Sequence, residues 1–212
     1  MKRGIVVVGA GGHAKVCIEL LRAMGMPISF CIGGDDSPAD CIGVPVLRGD
    51  SHLALLRKQG HGLAFIAIGS NSLRQRLGRQ ALELGYELVN AISPSAVISP
   101  TARLGKGIAV MAGAVINACT TVADLAIINT LASVDHDGAI GEAVHIAPHC
   151  GLAGNVTVGE RSFLGIGSKV IPGVSIGLDV VAGAGSVIVS DTPSNIKIVG
   201  VPATPLIKNR DK

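Results

Sequence analysis

From Ile98 to Ile188 every sixth residue of the chain is apolar, without exception. Ile98, Leu104, Val110, Ile116 and Val122 open the series; Val170, Ile176, Ala182 and Ile188 close it. Neither a helix nor an ordinary strand gives a period of six, because their side-chain periods are about 3.6 and 2. A hexapeptide period marks a parallel β-helix, in which each unit lays one short strand on one face of a prism. Residues just after the series are mostly small or turn-forming, as at Ser99, Gly105, Asn117, Asp135, Gly159 and Gly177. Residues four on are small or β-branched, as at Ala114, Thr120, Ala132, Val156, Ser168 and Ser186. A narrow prism has room only for such side chains beside the large inward ones.

The pattern resembles the left-handed β-helix of the hexapeptide acyltransferases. In that family three hexapeptides make one triangular coil, which implies roughly five coils here, stacked at about 4.8 Å. Three Phe, one Tyr, no Trp and 29 Gly suit a narrow solenoid better than a sandwich. A net charge of +3 gives no nucleic-acid footprint. Lys208, Arg210 and Lys212 read as a solvated tail. Cys17, Cys31, Cys41, Cys119 and Cys150 form no CxxC and no metal spacing. Reduced thiols in a cytoplasmic protein, several of them buried, are the expectation. The apolar run Ile5 to Val8 is too short for a signal peptide or a membrane span.

The first ninety residues alternate strand and helix. Gly4 to Val8, Ile28 to Ile32, Leu63 to Ile68 and Tyr86 to Val89 read as strands. Ala14 to Met24, Ser51 to Gln59 and Ser72 to Leu84 read as helices, with Val16, Leu20 and Ala23 on one face of the first and Leu73, Leu77, Ala81 and Leu84 on one stripe of the last. The alternation predicts a small Rossmann-like parallel α/β domain over 1–92, followed by the β-helix and its tail over 93–212.

Gly9-x-Gly11-x-x-Ala14 lies between a strand and a helix, where glycines let a backbone approach phosphate. Gly33 and Gly34 precede Asp35 and Asp36, so the acidic residue of a dinucleotide fold is displaced and a nucleotide-sugar suits the loop better than NAD. In the solenoid, Asp135, His136 and Asp137 cluster two positions after Val134, at an outward-facing corner. A neighbouring carboxylate can raise an imidazole's basicity and fix its tautomer, as a general base requires.

GAGGHA near the start, AIGSN at 67–71, then INTLASVDHD, HIAPHCGLAGNVTVG and a closing VGVPA occur in this order. Together they resemble the PglD/NeuD-type sugar acetyltransferases, over about residues 4 to 205. The resemblance implies transfer of acetyl from acetyl-CoA to a sugar amine, at the 4-amino group of a nucleotide-linked, UDP-type amino-deoxy sugar, without a metal. Sialic acid O-acetylation is the alternative acceptor, and a non-catalytic nucleotide-binding solenoid the alternative class. The family's catalytic pair falls on His136 and Asp137, where PglD has Glu in place of the Asp. Its cofactor contacts fall on His145, Gly154 and Ile166, and its substrate loop on Gly11, Gly12 and His13. Asp35, Asp36 and Asn71 are further substrate-side candidates. A homotrimer, with sites between subunits, is also implied.

The remaining histidines have plainer readings. His149 is expected at a surface corner, and His52 and His61 facing solvent. Cys150 falls on a small, buried position of the repeat, and Cys119 has no basic neighbour in sequence, so an acetyl-cysteine route is disfavoured.

Overall fold

The computed structural model describes residues 3–206. Lys208, Arg210 and Lys212 lie outside that range. The chain begins with β1 (Ile5–Val8), α1 (Gly12–Ala23), β2 (Ile28–Gly33), β3 (Asp40–Cys41) and β4 (Val44–Arg48). It continues with α2 (Ser51–Lys58), β5 (Leu63–Ile66), α3 (Asn71–Glu83) and β6 (Glu87–Leu88). The sheet order is β3-β4-β2-β1-β5-β6, parallel except at the β3/β4 pair. That pair is absent from the sequence reading. Ile42 and Gly43, both at positive φ, close it as a two-residue hairpin, and an isoleucine gives no hint of that backbone.

α1 buries Ala14, Cys17, Ile18, Leu20 and Leu21. The expected face is therefore rotated, and Val16 is 43% exposed. The reason lies in the tertiary packing. α1 is wedged between the sheet and the solenoid, so two neighbours set its buried arc, with Ala91, Ala109 and Ile127 of the solenoid in the same apolar cluster. His61 is also corrected. It is only 4% exposed, with Nδ1 3.2 Å from the Gly4 carbonyl oxygen and its ring edge-on to Phe30.

From Ala91–Ile92 onward the chain winds into a left-handed β-helix of short, mostly two-residue strands in three sheets, parallel except where Lys197–Val199 pairs antiparallel with Thr204–Pro205. Ala109 pairs with Ile127, and Ile127 with His145, so one coil is eighteen residues, three hexapeptides. The series residues from Val110 to Ile188 are buried in one continuous core, with Ile98 and Leu104 partly covered beside it. Every sixth residue from Gly107 to Gly185 has a positive φ. Nine of these corners are not glycine, among them Asp137 (φ 56) and Asn155 (φ 59). A left-handed corner costs a side-chain-bearing residue roughly 1–2 kcal/mol. It is held here by backbone bonds between coils, such as Asp137 N–H to the Ala118 carbonyl at 2.9 Å.

Candidate functional site

The Asp135–Gly138 turn joins strands Ser133–Val134 and Ala139–Ile140 at one edge of the prism. The coils on either side fix its backbone, since the His136 carbonyl accepts the Asn155 N–H at 2.8 Å. His136 Nδ1 lies 2.9 Å from Asp137 Oδ2, and both side chains are 60% exposed. The bond to Asp137 and then the charge of Asp135 raise the imidazole's pKa above the ordinary histidine value. A carboxylate only accepts, so Nδ1 is the donor in this pair, and in the neutral ring Nε2 then keeps its lone pair. The short Asp137 side chain thus reaches the ring nitrogen of its chain neighbour.

Gly154 lies in the next coil, directly over this ring. A Cβ there would sit 2.5 Å from His136 Nε2 and would also run into Cε1. Only a residue without a Cβ lets the His136 ring pack this closely against the backbone at position 154. Asp135, outside the expected catalytic pair, has its own bonds. Its Oδ1 accepts from Asn117 Nδ2 at 2.9 Å and from the His136 backbone N–H at 2.8 Å. The His136 N–H bond, then the Asn117 bond, holds this carboxyl below the usual range.

A second group of residues gathers on another side of the prism, under the α/β domain. His145 stands in the sheet that packs against α1, with Nε2 3.0 Å from Asn129 Nδ2 and its ring edge-on to Phe163 at 5.1 Å. His13 Nε2 lies 3.5 Å from Cys17 Sγ. Burial first, and then the charge of Arg74, lower His13 to about 4 and His145 to about 3, so both rings are neutral near pH 7. The structure thus brings His13 and His145 together and keeps them apart from His136, Asp137 and Gly154, which lie at a different edge.

Arg74 is absent from the sequence reading, yet it organises this side. It is 1% exposed. Nε donates to the Leu125 carbonyl at 2.7 Å, one terminal nitrogen to Ile68 and Gly69, and the other to Ala143 at 2.7 Å and to Asn71 Oδ1. Asn71 in turn donates to the carbonyls of Arg161 and Ser162. Its amide thus links Arg74 to the solenoid backbone. The signal for Arg74 was its spacing. It stands three and seven residues before Leu77 and Ala81, on the buried stripe of α3.

The glycine loop follows β1. Gly9 has φ 126, and a Cβ there would lie 2.5 Å from the Ala67 carbonyl oxygen. Nothing stands within 4 Å of a Cβ at Gly11 or Gly12, so the start of α1 is open. Its N-cap has no side-chain bond, which leaves the first backbone N–H groups available to an anion. Asp35 and Asp36 are exposed just beyond the end of β2, on the same carboxyl edge of the sheet. Ile166 is exposed on a solenoid corner, as is His149, and Cys150 is buried. Among the described residues no helix is long and apolar enough to cross a membrane, and no group of three or more His, Cys, Asp or Glu is placed to hold a metal.

The PglD N-terminal domain family matches residues 4–81. PerB from Caulobacter crescentus, solved in complex with CoA and GDP-perosamine, is 53% identical over 97% of this chain and 98% of its own, with a TM-score of 0.94. The acetyltransferase domain of PglB from Neisseria gonorrhoeae, in complex with acetyl coenzyme A, is 38% identical over 97% of this chain and 100% of its own, with a TM-score of 0.90. The UDP-N-acetylbacillosamine N-acetyltransferase of Bacillus subtilis is 35% identical over 113 residues, so the match spans about half of that curated relative (52%). With an α/β domain of the PglD type joined to a β-helix that matches these structures along their whole length, the chain belongs to the hexapeptide-repeat sugar N-acetyltransferases.

Proposed function

We propose that this chain transfers the acetyl group of acetyl-CoA to the 4-amino group of a nucleotide-linked amino-deoxy sugar, with His136 as general base. The observation that carries this reading is the exposed His136 ring, held at Nδ1 by Asp137, with Nε2 free of any hydrogen bond from the described residues and set beside the bare Gly154 backbone. The amine nitrogen attacks the thioester carbonyl, the C–N bond forms and Nε2 takes the amine proton. Asp137 stabilises the imidazolium. The C–S bond then breaks, Nε2 gives that proton to the departing sulfur, and CoA leaves as the thiol. The Gly154 backbone N–H is the candidate donor to the oxyanion.

The nucleotide belongs to residues 1–92 and CoA to the solenoid, along His145, Gly154 and Ile166. Because His13 and His136 lie at different edges of one chain, a complete site needs a second copy, which supports a homotrimer with sites between subunits. Exposed apolar residues on the solenoid, Leu131, Ile166 and Ile171, fit such contacts. A guanosine diphosphate sugar is favoured by the 53% identity to PerB. A UDP-sugar is the second reading, favoured by the Bacillus subtilis relative. We place the protein in the cytoplasm, in keeping with its five free thiols.

The test is thiol release from acetyl-CoA with GDP- and UDP-linked 4-amino sugars, and with sialic acid as the hydroxyl control. Turnover with an amino sugar, reduced roughly 10²–10⁴-fold in kcat by His136→Ala, is expected. Near-normal turnover of that variant would remove His136 from the mechanism. Light scattering that shows a fully active monomer would remove the shared site.

A further inference from the structure

Asp135 makes two bonds that a surface turn does not need. The same oxygen, Oδ1, accepts from Asn117 Nδ2 in the coil below and from the backbone N–H of His136. The Asp135 backbone is braced as well. Its carbonyl accepts the Thr120 hydroxyl at 2.7 Å, and that hydroxyl accepts the Gly138 N–H at 3.1 Å. The residue before the imidazole is thereby tied to the coil beneath it at both its side chain and its main chain. The ring itself is exposed and has one side-chain bond, to Asp137. Its position therefore depends on how firmly this backbone is held. The groups around the ring are few. Asp135 and Asp137 flank it, Asn117, Ala118 and Cys119 lie in the coil below, and Ala153, Gly154 and Asn155 lie above.

We infer that Asp135 is a positioning residue for the acetyl transfer, acting with Asn117 to fix the backbone that carries His136 and supplying a second negative charge to the imidazolium formed in the reaction. This rests on the reading of His136 as the base. Two contributions are separable by substitution. Asp135→Asn keeps an oxygen that accepts from Asn117 and from the His136 N–H, and removes only the charge. Asn117→Ala leaves the charge and removes the clamp.

The experiment is the pH dependence of kcat for the full chain and both variants, with one amino-sugar nucleotide and saturating acetyl-CoA. Melting curves accompany each variant, and His136→Ala serves as control. For Asp135→Asn we expect the acid limb of the profile to move to lower pH and the high-pH plateau to fall only a few-fold, as a weaker base in an unmoved position requires. For Asn117→Ala we expect the limb to stay and the plateau to fall roughly ten- to hundredfold, the scale of a displaced catalytic group. KM for acetyl-CoA should stay unchanged in both. If both profiles overlay the parent while His136→Ala is inactive, the role of Asp135 is refuted and the base stands. If both variants merely melt earlier and lose activity equally at all pH values, Asp135 is structural only and the inference is refuted. An active His136→Ala enzyme refutes the base and this inference together.

Discussion

Gly154→Ala tests the site with a single methyl group. The added Cβ would stand 2.5 Å from His136 Nε2, whereas ordinary contact begins near 3.4 Å, so the ring retreats by about an ångström. The movement is open to it, because the ring is 60% exposed and can swing outward. Gly154 is not at a positive φ, so alanine adds no backbone strain and the coil should survive. Displacing a catalytic atom by this distance costs roughly a hundredfold in kcat. The assay is a double-mutant cycle with His136→Ala, reading kcat from thiol release. If Gly154 acts through the ring, adding Gly154→Ala to the His136→Ala enzyme should cost less than about twofold, because the group it displaces is already gone. Full turnover of Gly154→Ala would refute the placement of Nε2 in the reaction. An undiminished hundredfold loss in the His136→Ala background would instead assign Gly154 to the thioester alone.

Other substitutions reach the rest of the molecule. Asp137→Asn removes the partner that raises the His136 pKa, so the acid limb of the kcat profile should shift to lower pH while the plateau falls; an unshifted limb counts against the pair. Gly11 has open space around a Cβ, so Gly11→Leu should fold, raise KM for the sugar nucleotide and leave KM for acetyl-CoA nearly unchanged in steady-state kinetics. Arg74→Met strips hydrogen bonds from several buried carbonyls and should destabilise the protein by roughly 3–5 kcal/mol, read from urea midpoints. His13 and His145 have folded values of about 4 and about 3, below the unfolded value of 6.5. The unfolded chain therefore binds more protons between those limits, and stability should fall as pH drops below about 6.5, by at most about 1.4 kcal/mol per unit for each histidine. A melting temperature that is flat from pH 7 to about 4.5 would refute their burial as neutral rings.

The solenoid was legible because one geometric rule repeats in it. Val110, Val134 and Val158 occupy equivalent inward positions, so each unit confirms the next. The His136–Asp137 corner was legible for the same reason, since the register alone turns residue 136 outward. What escaped was whatever depends on contact between distant segments. The face of α1 is decided by Ala109 and Ile127, about a hundred residues away, and Val16 carries no mark of that. Arg74 reads as a solvated helix charge until the carbonyls of Leu125 and Ala143 are seen to surround it. The bonds from Asn71 to the backbone of residues 161 and 162 likewise join segments about ninety residues apart.

The junction around Arg74 bears on how sequences of this architecture can recombine. An exchange of the first ninety residues between two such proteins would carry the guanidinium of one chain to the carbonyl geometry of another. Those carbonyls belong to solenoid corners at residues 125 and 143, where φ is positive and the backbone cannot follow a misplaced partner. The α/β domain is thus not a detachable module. A working hybrid must inherit the two corners along with it, so the two halves of the chain are inherited as one unit.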